Sequence, residues 1–184
     1  VSRLIGNKDS ILVAEIALAE KDFGKLAGAM RRDEFSTLMM EEEINLEADY
    51  RRLAGRLRKK EKHFLESETL PIGIEMIHKT IENRIAFLDY YLQFKMDGDY
   101  RKRWAASDSI MAANIVWLAQ KCFPGHKIIV STHNFHAART NPKETVMGAM
   151  LAKEFGDAYY SVGIFGRQGE YADNSGEAVK LKTS

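Results

Sequence analysis

Lys127-Ile128-Ile129-Val130-Ser131-Thr132-His133-Asn134-Phe135-His136 is the segment on which this 184-residue chain turns. Its first half is a β-branched apolar run, the pattern of a short strand buried on both faces. Its second half sets two imidazoles and a carboxamide into four residues directly after that strand. Downstream, Lys143 to Phe155 reads as a helix, with Gly156 where a helix C-terminus favours a left-handed residue. Ala158 to Phe165 alternates Tyr, Val and Ile as a second strand. Upstream, residues near 107 to 121 read as a helix that ends before the Pro124-Gly125 turn. Helix, strand, helix, strand predicts an α/β fold with a parallel sheet. Glu177 to Leu181 alternates like one more strand.

The chain before this section has another rhythm. Residues near 9 to 31 read as a helix with Asp9 or Ser10 as N-cap, and Ile11, Ile16, Leu18, Phe23 and Leu26 in a broad apolar stripe. Residues near 35 to 67 read as a long helix, with Leu38, Ile44, Leu46, Tyr50, Leu53, Leu57 and Phe64 mostly three or four apart. Pro71 ends or resets it. Ile74, Ile77, Ile81, Ile85, Leu88 and Leu92 mark a third helix over about 73 to 96. The sequence thus predicts a long-helix section over 1–100 and an α/β section over 101–184, together one domain. Position 1 is not Met and the last residues stop in mid-pattern, so a piece of a larger α/β domain is expected.

Composition narrows the function classes. Lys and Arg total 27 and Asp and Glu total 26, a balance that argues against a general nucleic-acid binder or a polybasic membrane surface. Apolar residues are 45% and charged residues 29%, as in a globular chain. No run approaches the roughly 18 apolar residues of a membrane span. Cys122 is the one cysteine, which removes an intrachain disulfide and a multi-cysteine zinc site. With no signal peptide in view, the sequence favours a cytoplasmic protein.

His133 and His136 are the sharpest site candidates. Ligands in open α/β sheets bind beyond the carboxyl ends of strands, and imidazole suits proton transfer near neutral pH. Asn134 has two roles open to it: donating to a developing oxyanion, or fixing a histidine tautomer. The alternatives are two ordinary loop histidines, or a metal pair that lacks the third protein ligand of a catalytic zinc. Asp108 reads first as an N-cap or first-turn acid. Asn114, three residues before Trp117, reads as a buried polar group in need of partners. The Gly163, Gly166 and Gly169 loop is no dinucleotide fingerprint; it reads as a strand exit, with Arg167 or Gln168 reaching a ligand as the minority use. Arg51, Arg52, Arg56, Arg58, Lys59, Lys60 and Lys62 follow an acidic run from Glu41 to Asp49, and pairs such as Glu47 with Arg51 predict a solvated, internally paired face. Cys122 reads as a buried, inert thiol.

Several blocks in the roughly 65 residues from Asp108 to about Tyr171 occur together in one known family. They are Asp108-Ser109-Ile110-Met111-Ala112-Ala113-Asn114-Ile115-Val116-Trp117, the Pro124-Gly125 turn, the strand with His133-Asn134-Phe135-His136, Met147-Gly148, Gly156-Asp157 and Tyr159-Tyr160-Ser161-Val162-Gly163. In order and spacing this part resembles the C-terminal catalytic half of the erythromycin esterase family, which includes succinoglycan biosynthesis protein-like members. The resemblance implies an α/β fold with a helical insertion, and hydrolysis of a small-molecule ester or lactone by activated water. It assigns catalysis to His133 and His136, with Asn134, Asp108 and Asn114 in support. It requires no cofactor and no metal, and it calls for an acid and a histidine from a segment upstream of this chain. By that implication the 184 residues alone have little or no activity.

The chain departs from the family pattern at four places. Ala113 stands where the family often has Glu, Ser107 where it has Arg, Ser131-Thr132 where it has Trp-Ala, and Phe135 where it has a small residue. Phe135 narrows the loop's surroundings and counts against macrolide-sized substrates. The departures keep a non-catalytic alternative open: a helical interaction module on a degenerate esterase-like scaffold, able to self-associate through its long helices.

Overall fold

Apolar side chains three or four residues apart dictate the first half of the molecule. The computed structural model describes residues 9–31, 37–65, 71–98, 100–164, 170–172 and 177–180. The chain divides into two compact units, Val1–Lys127 and Ile128–Ser184.

Four helices make up the first unit: α1 (Ser10–Arg31), α2 (Thr37–Leu65), α3 (Pro71–Asp97) and α4 (Tyr100–Trp117). Asp9 starts α1 as its cap, its carboxylate accepting the Leu12 N–H at 2.9 Å. Pro71 opens α3, where its missing N–H costs no helical hydrogen bond. Much of the predicted stripes meets in one core, while Ile11, Leu18 and Ile44, also placed in them, are exposed. Leu12, Ile16, Phe23 and Leu26 of α1 join Leu46, Tyr50, Leu53 and Leu57 of α2 and Ile74, Ile77, Ile81 and Leu88 of α3. Each fully buried Leu or Ile stabilises the fold by about 1.5–3 kcal/mol.

Polar groups bolt the same helices together. Glu20 of α1 takes both arms of Arg84 of α3, at 3.1 and 2.9 Å, and the Tyr50 hydroxyl of α2 at 2.8 Å. The Arg84 guanidinium also lies 4.1 Å from the centre of the Phe23 ring. Burial alone would raise the Glu20 carboxyl, but the Arg84 and Tyr50 hydrogen bonds outweigh it and hold the group below the ordinary glutamate range. In the basic stripe of α2, Arg51 bonds Glu47 at 2.6 Å as the four-residue spacing predicts, and also reaches Asp89 of α3 at 3.2 Å. Arg56 bonds Glu15, and Lys60 bonds Asp9.

α4 begins at Tyr100, earlier than the predicted start near 107, and packs on α3. A π-helical turn, Leu118–Cys122, ends it, closed by the Phe123 N–H on the Leu118 carbonyl at 2.8 Å. Gly125 turns the chain with φ of 77°.

The parallel-sheet α/β expectation fails in the second unit, and the protein is mainly helical. Among the described residues neither predicted apolar strand has a strand beside it. Ile129 is 95% exposed, and Tyr160, Val162 and Ile164 are 88%, 78% and 83% exposed. The described strand pairing is a short antiparallel ribbon, β1 (Glu170–Ala172) with β2 (Ala178–Lys180), in register Tyr171 to Val179. β2 falls within the predicted 177–181 strand. The physical reason is general: β-branched composition suits an extended backbone, whereas a sheet also needs neighbours for its N–H and C=O groups. The remaining elements of this unit are the single helical turn α5 (Asn134–Ala137), α6 (Met147–Phe155) and a 3-10 turn, Gly156–Ala158. Gly166, Arg167, Gln168 and Gly169 of the predicted glycine loop lie outside the described residues.

Candidate active site

The histidine loop is a capped helical turn. His133 is extended, with φ −62° and ψ 143°, and its side chain caps α5 by accepting the Phe135 N–H at Nδ1, 3.2 Å away. The His133 carbonyl takes the N–H groups of His136 and Ala137 at 3.0 and 3.3 Å. His133 is exposed and His136 half-buried, with the Phe135 ring edge-on to the His136 imidazole at 5.3 Å. Both histidines thus leave one turn of backbone, on side chains three residues apart.

Side chains tie this turn to the extended segment 159–164. Asn134 Nδ2 donates to the Ile164 carbonyl at 2.7 Å, and its Oδ1 accepts the Ile164 N–H at 3.1 Å. The carboxamide therefore copies the two-way pairing that a strand neighbour would give. The Ala137 carbonyl accepts two hydroxyls, Tyr159 Oη at 2.7 Å and Ser161 Oγ at 2.6 Å. Arg139 donates to the Tyr159 carbonyl at 2.7 Å. Residues 159 and 161 turn toward the loop, while Tyr160, Val162 and Ile164 turn to solvent.

α6 supports the turn from another side. Gly148, in its first turn, is buried against the backbone after His136. A Cβ there would stand 2.4 Å from the Ala137 carbonyl oxygen and 2.5 Å from that of Ala138. Only glycine allows that approach. Asn141 shapes the entry to α6 by accepting the N–H groups of Lys143 and Glu144 at 2.9 and 3.2 Å.

Asp108 and Asn114 belong to α4 in the first unit. Asp108 is not the cap or first-turn acid that its neighbours Ser107 and Ser109 predict. The helix starts at Tyr100, so this carboxylate sits in mid-helix and is only 1% exposed. Asn114 is half-buried, and its Oδ1 is buried without a hydrogen bond among the described residues. Cys122 is half-buried, and burial together with the Glu75 carboxylate pushes its thiol up, away from nucleophilic use.

The structure therefore joins His133, Asn134 and His136 in one turn and adds Arg139, Gly148, Tyr159 and Ser161 around it. Sequence reasoning did not assign those four to the site. Gly148 had a signal in the Met147-Gly148 pair, and Tyr159 and Ser161 had one in their alternation with apolar neighbours. Among the described residues no group of three or more His, Cys, Asp or Glu side chains is placed to hold a metal ion. Among them, too, no helix is long and apolar enough to cross a membrane.

These features place two histidines and a carboxamide on one hydrogen-bonded turn. The sequence profile of the family described as erythromycin esterase matches residues 17–183. The chain belongs to that family. It is also 26% identical over 132 residues to the Bacillus subtilis (strain 168) protein named "Putative hydrolase YbfO", a match covering 62% of this chain. That match spans only 30% of the relative's length. No solved structure matches the chain.

Proposed function

We propose that the chain is the C-terminal part of a hydrolase that cleaves an ester or lactone with activated water. The observation that carries the proposal is the loop itself: two histidines on one turn, tied by Asn134, Tyr159 and Ser161 to a neighbouring segment. Catalytic groups need such support, because a misplacement of about 1 Å costs roughly 100-fold in rate. In the reaction, water oxygen bonds to the carbonyl carbon as the water loses a proton to a base. The carbonyl pair moves onto oxygen, and its return expels the alkoxide, which takes up a proton. His133 and His136 are the catalytic groups of this chain, with Asn134 holding the turn. Asp108 and Asn114 are assigned supporting roles on the family motif alone. Since the chain covers 30% of the curated relative, further catalytic groups are expected from polypeptide beyond these residues.

The test is hydrolysis of a panel of simple esters and lactones by the natural full-length protein. It is run beside a folded variant carrying both His133→Ala and His136→Ala. Activity in the parent and a loss of at least about 100-fold in the variant is the expected result. Equal activity in both would remove the reaction from this loop. Activity absent from both would favour an interaction module.

A further inference from the structure

Neutral imidazole carries one proton, on Nδ1 or on Nε2, so the partner of one nitrogen decides what the other can do. His133 Nδ1 faces the Phe135 backbone N–H at 3.2 Å. A backbone N–H only donates. Nδ1 must therefore present its lone pair, and the proton of the neutral ring sits on Nε2. We infer that His133 acts as a hydrogen-bond donor through Nε2, gripping the substrate's carbonyl oxygen and the oxyanion that forms there, and is not the base that takes the proton from water. This assignment rests on the hydrolase reading above.

The division of labour follows from the cap. Nδ1 of His133 is spent on holding α5, and the same bond aims the ring. When water adds to the carbonyl carbon, the carbonyl pair moves onto oxygen, toward Nε2–H. The proton lost by water goes to another base, and His133 keeps its own throughout. A fixed donor of this kind stabilises charge as it develops and needs no change of protonation. His126 supplies the opposite case in the same chain. Its Nδ1 lies 3.2 Å from the Pro124 carbonyl oxygen, which only accepts, so there Nδ1 carries the proton.

Two experiments separate the donor from the base. Nitrogen-15 spectra of the ring nitrogens, recorded on this chain above the histidine titration range, should show His133 protonated on Nε2 and His126 on Nδ1. A His133 ring protonated on Nδ1 would overturn the inference whatever the enzyme hydrolyses. The second experiment uses substitutions in the full-length protein. His133→Asn keeps a favoured cap but has no nitrogen at the distal position. His133→Gln carries an amide N–H about as far out as Nε2. The Asn variant should fold normally and lose at least about tenfold in kcat. The Gln variant should recover part of that loss and keep the parent's pH–rate profile. A Gln variant as inactive as the Asn variant, or one that lacks an ionisation present in the parent profile, would mark His133 as a base and overturn the inference. If the parent hydrolyses no ester or lactone, the hydrolase reading fails and the catalytic role of His133 falls with it. The spectra then still decide the tautomer.

Discussion

The two units hold themselves together in different ways. The first buries Leu12, Tyr50, Leu57, Ile74 and Leu88 to 0% exposure and crosses its helices with ion pairs. The second leaves Ile129, Tyr160, Val162 and Ile164 in solvent and relies on side-chain bonds to backbone, centred on Asn134, Ala137 and Ile164. Its described buried residues are few: Val146, Met147, Gly148 and Leu151. Stability by burial is spread over many positions, whereas geometry set by directed bonds depends on single groups. The histidines sit in the unit of the second kind, where each bond fixes a direction. That pattern suits a site, since loops held by a few precise bonds place catalytic groups and cores do not.

Substitution of apolar residues gives the largest contrast. Leu57→Ala, in the first unit, should cost about 2–5 kcal/mol by chemical denaturation. Ile129→Ala, at 95% exposure, should stay within about 0.5 kcal/mol. A large loss at Ile129 would mean that the exposed run is covered in the protein as it exists in solution.

A smaller effect is expected at Gly148, where the added methyl of Gly148→Ala meets two carbonyl oxygens. Overpacking there should cost about 1–3 kcal/mol and displace the α5 turn. Movement of the His133 and His136 ring resonances would report the displacement. Unmoved resonances would show that α6 does not set the loop.

The pH dependence of stability sharpens the comparison further. The Glu20 carboxyl lies below its ordinary value because Arg84 and Tyr50 outweigh burial. The unfolded chain therefore binds the proton more readily, and the folded unit gains stability above about pH 4.3, the usual glutamate value. That gain is lost as pH falls through the lower folded value. Between about pH 6 and pH 3, Glu20→Gln should lose less stability than the parent. Parallel pH curves would contradict the assignment.

The helices were legible because their signal is local. Leu46, Tyr50, Leu53 and Leu57 repeat at helical spacing, Asp9 precedes α1, and Glu47 reaches Arg51 one turn on. The absence of a sheet around the two apolar runs was not, because residues such as Ile128 to Val130 specify an extended backbone without specifying neighbours. Asp108 misled for a related reason. Its serine neighbours mimic a cap, while the helix already starts at Tyr100. His133, Asn134 and His136 stand out in the sequence as candidates because they fall within four residues. The bonds from Asn134 to Ile164 and from Tyr159 and Ser161 to the Ala137 carbonyl join residues more than twenty positions apart, and no periodicity announces such a pairing. Asn134 shows the limit best. Its amide suited either an oxyanion or a tautomer from the sequence, and the structure spends it on the Ile164 backbone.

The most direct test of the proposed role of the histidine loop in hydrolysis is kcat/KM of the full-length protein and of a folded His136→Ala variant, on the best ester or lactone found. The account predicts a fall of at least about tenfold. An unchanged kcat/KM would contradict it.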